Sequence, residues 1–337
     1  ADVVEEVVRI QGYDKIPTTL LAQPIPRQDA SAATVLKRRL RTLMTGLGFQ
    51  DIVSYSLISM DSIVKLSPQN KKPELLPVHL YNAMTQENEY LRPSLRPNLL
   101  GAVAINKAFI DDGLRLFEMG KVYLNKEADL PDEPDMLCGI LAGKRAPRSW
   151  QGESANFDFF DAKGVVETLL GQLGINAKFE LSQDESLHPA RQVSVIIDGK
   201  QVGVVGEVHP AVAGHFEIPD TAFLFELNVK SLMLHTGYKQ YQALTKFPAT
   251  VRDIAIVVDA DVPNQKAIDI IKVVGLVTDV ALFDVYAGNH VAAGKKSLAY
   301  RITYQSPTRT LTDDEVNNVQ KAILKRLGNE LGATLRS

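Results

Sequence analysis

Residues 296–328, KSLAYRITYQSPTRTLTDDEVNNVQKAILKRLG, decide how the second half of the chain folds. In their first part Leu298 and Tyr300 alternate with Ser297, Ala299 and Arg301, the period of a strand with one buried face, predicted over 296–305. After the turn residues, Thr312 and Glu315 have the spacing of a capping box, and Asp313 and Asp314 suit the positive end of a helix. Val316, Val319, Ile323 and Leu327 then recur at helical steps, so a helix is predicted over 312–328. Working outward, strands read at 251–258, 278–286 and 333–336 and a helix at 263–274. The order β-α-β-β-α-β is the split βαβ of ferredoxin-like domains. In the strand before the quoted stretch, alternation sends Phe283 and Val285 toward the helices and leaves Asp284 and Tyr286 on the open face.

Upstream, short strands read at 52–58, 76–81, 115–124, 136–142, 178–182, 192–198, 201–208 and 222–228, with helices at 31–46, 94–109 and 159–173. Many connections are too short for parallel crossovers, so this part is expected to be a mainly antiparallel sheet flanked by helices, which makes the chain α+β. Residues 2–11 place Val3, Val4, Val7 and Val8 on one helical face and end at Gly12. They read as the closing helix of a further domain, and the chain as a piece of a longer protein. Pro17, Pro24 and Pro26 mark 14–30 as a connecting segment.

The 337 residues are 45% hydrophobic and 23% charged, which excludes disordered and collagen-like classes and gives room for two cores. One cysteine, Cys138, excludes an intrachain disulfide and a thiolate metal cage and fits the cytosol. No apolar run approaches the roughly 20 residues of a membrane helix. A net charge of −3 supplies no global attraction to nucleic acid, so any RNA contact must be local. The six histidines show no HExxH spacing, and no serine sits in a G-x-S-x-G frame, so zinc hydrolysis and serine nucleophile chemistry have no support. Gly294, Lys295, Lys296 and Ser297 miss the register of a phosphate loop and read as a hairpin tip. Asp2, Glu5 and Glu6 share one side of the first helix. That spacing could serve a hard cation, but taken alone it reads first as a solvated acidic face with a Glu5–Arg9 pair.

Several ordered stretches resemble the beta subunit of bacterial phenylalanyl-tRNA synthetases across the whole chain. They are Glu5 to Pro17 (EEVVRIQGYDKIP), Arg115 to Gly120 (RLFEMG), Phe247-Pro248 with Arg252-Asp253, Leu282 to Tyr286 (LFDVY), Gly294 to Leu298 (GKKSL) and Arg309 to Asp313 (RTLTD). The resemblance implies a remnant of a DNA-binding-like (B5-type) domain at 1–17, a linker at 18–30, a class II synthetase-like but non-catalytic domain at 31–242 and a ferredoxin-fold anticodon-binding domain at 243–337. It implies an alpha chain as partner, two of each, which holds the active site and ATP, and phenylalanine tRNA as the RNA. The helix from 32 and the strand from 52 resemble the family's dimerisation motif.

The residues support a non-catalytic middle domain. A class II site sets an Arg and a Glu two places apart on one strand, whereas Glu118 has Leu116 two places back and Arg115 three back. The Gly-x-Gly-x-x-Arg frame is also missing, since Gly46-Leu47-Gly48 leads to Asp51. Asp2, Glu5 and Glu6 match three of the family's Mg2+ ligands, in a set that lacks a further upstream Asp. In the last domain Tyr286 would stack on an unpaired base, Asp284 would accept from a guanine edge, and Ser297 shares their face. Arg252 and Lys296 would hold phosphates nearby. The family's proofreading domain precedes these residues, so no editing is expected. Two other readings remain: a self-sufficient class II ligase, and a ferredoxin-like protein-interaction module that binds no RNA.

Overall fold

The computed structural model describes residues 1–20, 22, 29–107, 109, 113–126, 129–147, 149, 150, 152, 155–237, 241, 243–288 and 291–336. The chain divides into two units, Ala1–Lys239 and Gln240–Ser337. The first runs α1 (Asp2–Gln11), α2 (Ala32–Gly46), β1 (Gln50–Asp51), β2 (Leu57–Ile58), α3 (Met60–Val64), β3 (Tyr90–Leu91), α4 (Arg96–Lys107), β4 (Leu114–Lys121) and β5 (Asp135–Ala142). It continues α5 (Phe159–Leu173), β6 (Lys178–Leu181), β7 (Leu187–Ile197), β8 (Lys200–Val208), α6 (Pro210–His215), β9 (Ala222–Asn228) and α7 (Val229–His235).

Seven strands form one sheet in the order β1-β4-β5-β9-β8-β7-β6, antiparallel except where β1 joins β4. Both faces are buried. Phe117, Leu137, Leu141, Phe223 and Phe225 pack against Leu36, Leu40 and Met44 of α2 and Val166, Leu169 and Leu170 of α5. Leu116, Cys138, Ile140 and Leu224 point the other way, against Leu99, Leu100 and Val103 of α4 and Val212 of α6. Near-continuous apolar runs in β5 and β9 follow from burial on both sides.

Three sequence expectations change here. The strand expected over 52–58 is interrupted between β1 and β2, because the Ser54 backbone and hydroxyl turn inward to the Glu118 carboxylate. Val53 and Tyr55 are left 94% and 84% exposed. The strand expected at 76–81 is reduced to a single bridge, His79 to Tyr90. Helices α3, α6 and α7 were not expected. They are too short to show a period, and each rests on a side-chain cap: Ser59, His209 and Asn228 accept from the backbone N–H of Ser62, Ala211 and Ser231. Most of 18–30 lies outside the described residues.

The second unit runs β10 (Thr250–Asp259), α8 (Asn264–Val273), β11 (Val277–Tyr286), β12 (Lys295–Tyr304), α9 (Asp313–Leu331) and β13 (Thr334–Leu335), the expected split βαβ order. Its antiparallel sheet has the order β11-β12-β10-β13. Leu298, Tyr300, Ile302 and Tyr304 of β12, with Ile254, Ile256 and Val258 of β10, pack against Ile270 and Ile271 of α8 and Val316, Ile323 and Leu327 of α9. The helices therefore cover one face and leave the other open.

Two measurements check this packing. A Cβ on Gly139 would overlap the Phe225 ring, so Gly139→Ala is expected to cost about 1–3 kcal/mol in urea unfolding, as core overpacking does. At α9 the capping box forms, and Arg309 makes two bonds to Glu315, which lowers its carboxyl to about 2. The folded-state value is depressed, so the stabilisation is complete above the unfolded value near 4.5 and disappears as pH falls toward 2. An NMR titration of Glu315 is expected to show this low midpoint, and Arg309→Ala to raise it.

Candidate functional site

The open face of the second sheet gathers most of the residues singled out for RNA. Tyr286 of β11 pairs directly with Ser297 of β12, and Asp284 with the adjacent Ala299. Ser297, Ala299 and Arg301 lie opposite in phase to the buried Leu298, Tyr300 and Ile302, as alternation requires. Asp284 is exposed, Tyr286 is half-buried, and Ser297 is buried. A Cβ on Gly288 would come within 2.5 Å of the Tyr286 hydroxyl, so the lack of a side chain there leaves room for the phenol.

Arg252 and Lys296 belong elsewhere. Arg252 pairs with Ile302 and Lys296 with Val258, which puts both in phase with the core side of the sheet. Arg252 bonds the Asp313 carboxylate at 2.6 Å, at the start of α9, and the Lys296 ammonium donates to the Ala260 carbonyl at 2.8 Å. The structure does not bring them to the face that carries Asp284, Tyr286 and Ser297.

Two other arginines take that place: Arg336, which the sequence did not point to, and Arg301, which alternation put on this face without a role. Arg336 follows β13, and its backbone N–H bonds the Ala255 carbonyl of β10. Its guanidinium donates to the Ser297 hydroxyl at 3.3 Å and lies 5.0 Å from the centre of the Tyr286 ring. Arg301 makes two 2.9 Å bonds to Asp253 and sits 5.4 Å from the Phe283 ring. Hydrogen bonding to Arg301 holds the Asp253 carboxyl below its ordinary value, and the same bond raises the Arg301 guanidinium. Phe283 was expected on the helix side. A β-bulge between Leu282 and Asp284 shifts the phase of β11, so that Val280 and Leu282 face the core while Asp284 and Tyr286 face outward. Phe283 is the extra residue, and it lies with Arg301.

In the first unit a second polar constellation crosses the sheet. Glu118 of β4, Cys138 of β5 and Glu226 of β9 are neighbours in one row. Glu118 accepts from Arg92 at 2.7 Å and from the Ser54 hydroxyl at 2.5 Å, and Arg92 also reaches the Lys121 carbonyl at 3.0 Å. Glu226 accepts from Ser94 at 2.9 Å, the Leu95 N–H at 3.2 Å and Arg96 at 2.8 Å. Arg96 extends to Asp184 and Ser186, both at 2.7 Å. Burial pushes the Asp184 carboxyl up, but Arg96 and Ser186 more than offset this and leave it low. Burial beside Glu226 pushes the Cys138 thiol well up, so it is no nucleophile. Both glutamates are buried and each is matched by an arginine, an arrangement that holds structure together and leaves no carboxylate oxygen aimed at a ligand.

Asp2, Glu5 and Glu6 are all exposed on α1, a helix that buries none of its residues. Arg9 bonds Glu6 at 3.2 Å, rather than the expected Glu5. Among the described residues no group of three or more His, Cys, Asp or Glu side chains converges as a metal site requires. By themselves Asp2, Glu5 and Glu6 do not form such a group. Among the same residues no helix is long and apolar enough to cross a membrane.

Comparison with known proteins matches residues 16–229 to the phenylalanyl tRNA synthetase beta chain CLM domain and residues 245–336 to the ferredoxin-fold anticodon binding domain. Among similar curated proteins, the phenylalanine–tRNA ligase beta subunit of Dehalococcoides mccartyi is 42% identical over 337 residues, all of this chain and 41% of that protein. The corresponding subunit of Halalkalibacterium halodurans is 38% identical over 99% of this chain and 42% of its own length. The chain thus spans about two fifths of the relatives it matches. With residues 16–229 and 245–336 both matched, this chain belongs to the phenylalanyl tRNA synthetase beta chain family.

Proposed function

We propose that the chain is the non-catalytic, RNA-reading part of a ligase that joins phenylalanine to its tRNA at the expense of ATP. In this reading the open face of the second sheet binds the anticodon loop, and the first unit scaffolds an alpha chain that holds the active site and the nucleotide. The observation that carries it is the juxtaposition of Tyr286, Asp284 and Ser297 on one uncovered sheet face, within a segment matched to an anticodon-binding family. A phenol ring offers a plane to an unpaired base, and a carboxylate can accept from the N–H groups of guanine. The unit carries 12 Lys+Arg against 10 Asp+Glu over 241–337, so stacking and edge contacts, more than bulk charge, must supply the selectivity.

The scaffolding role is supported by the buried Arg92–Glu118 and Arg96–Glu226 pairs, in which each charge is taken up by its partner and by structural hydrogen bonds. Exposed Val53 and Tyr55, between β1 and β2, offer apolar surface suited to an alpha chain. The single buried Cys138 suits a reducing cytosol.

Fluorescence anisotropy with a phenylalanine-tRNA anticodon stem-loop tests the first role. Tyr286→Ala is expected to weaken binding by about fivefold to 150-fold, the range of one base–aromatic stack. Equal binding by the variant, or binding abolished by moderate salt for every loop sequence alike, contradicts anticodon reading. Calorimetric titration tests the second. The chain alone is expected to show no heat of ATP binding with or without Mg2+, and Val53→Lys with Tyr55→Lys to prevent co-elution with the alpha chain.

A further inference from the structure

We propose that Phe283, with the guanidinium of Arg301, is a second base-stacking position on the open face, taking an unpaired RNA base next to the one on Tyr286. This rests on the anticodon-loop reading above.

The argument begins with the bulge. Val280 and Leu282 must face the core, and Asp284 and Tyr286 face outward, so the strand needs one extra residue between them. A bulge of itself asks for an extra residue and not for an aromatic one. The residue present is a phenylalanine, 54% exposed, whose ring forgoes much of the stabilisation that full burial would contribute. It is not loose on the surface. Arg301 lies against the ring, and Asp253 grips Arg301 by two parallel bonds that fix the plane of the guanidinium.

The surroundings suit a base. Bases in unpaired RNA stack on aromatic rings and on guanidinium planes, and this pair presents both. Ala255 and Ala299, neighbours across β10 and β12 on the same face, carry only methyl groups. The Tyr286 ring has the same composition, an aromatic with an arginine against it, supplied by Arg336. Phe283 and Tyr286 are three residues apart on one strand, roughly 10 Å at about 3.3 Å per residue. Two bases held there are splayed apart and not stacked on each other, which is how single-stranded loops are read.

The test uses the 337-residue chain and a labelled phenylalanine-tRNA anticodon stem-loop, together with loops that each lack one base. Phe283→Ala and Phe283→Leu, the second keeping apolar bulk, are each expected to weaken binding about fivefold to 150-fold, with an unchanged urea midpoint. The loss is expected to vanish for one abasic loop, different from the loop that cancels the Tyr286→Ala effect. If Tyr286→Ala weakens binding while both Phe283 variants stay within twofold, the second position is overturned and anticodon reading stands. If neither residue matters, the open-face reading falls and this inference with it. A Phe283 effect of equal size on every abasic loop also overturns the proposal, because it marks a structural role.

Discussion

A β-strand has two faces, and in the second unit one of them is wholly committed to the core. Leu298, Tyr300, Ile302 and Tyr304 of β12 lie under α8 and α9, so Ser297, Ala299 and Arg301 have no choice but the other side. The neighbouring strands are bound by the same register. From β10 this brings Asp253 into line with Arg301, and from β11 it brings Tyr286 beside Ser297. The candidate RNA surface is thus the remainder of a packing problem. On β12 its residues stand together because their neighbours Leu298, Tyr300 and Ile302 are buried together, and β11 is held to them by register.

The first unit meets a different constraint. A glutamate on each of β4 and β9 is buried against a sheet covered on both faces, where an unpaired charge would cost several kcal/mol. Each is matched by an arginine from the segment leading into or starting α4, and the remaining acceptor sites are filled by Ser54, Ser94 and a backbone N–H. The same demand bends the chain after β1, since Ser54 reaches Glu118 only by leaving the strand path. Val53 and Tyr55 are exposed as a consequence. A buried charge on one strand therefore shapes the surface of another segment.

Much of this was legible in the residues. The capping box at Thr312, the helical stripe of α9 and the alternation of β12 are local signals, carried within a turn or a few strand residues, and they survive in the structure. So does the grouping of Asp284, Tyr286 and Ser297 on one face. Helices α3, α6 and α7 were missed because five to seven residues give no usable period. Arg252 and Lys296 stand apart from that face because their phase, set by pairing with Ile302 and Val258, is that of the core strands.

By itself the sequence determined the α+β class, the order of elements in the second unit and three residues of its open face, since each of these depends on periodicities of two or 3.6 residues within one segment. Tertiary structure alone decided the bulge that turns Phe283 outward, the reach of Arg336 from β13 to Ser297 and Tyr286, and the pairing of Arg92 and Arg96 with Glu118 and Glu226. These join residues 26 to 130 positions apart, or depend on one inserted residue in a strand's phase, and no local pattern encodes either. The physical reason is that a bulge or a buried ion pair is chosen by the whole sheet, as the arrangement that buries the apolar side chains and leaves no charge unmatched.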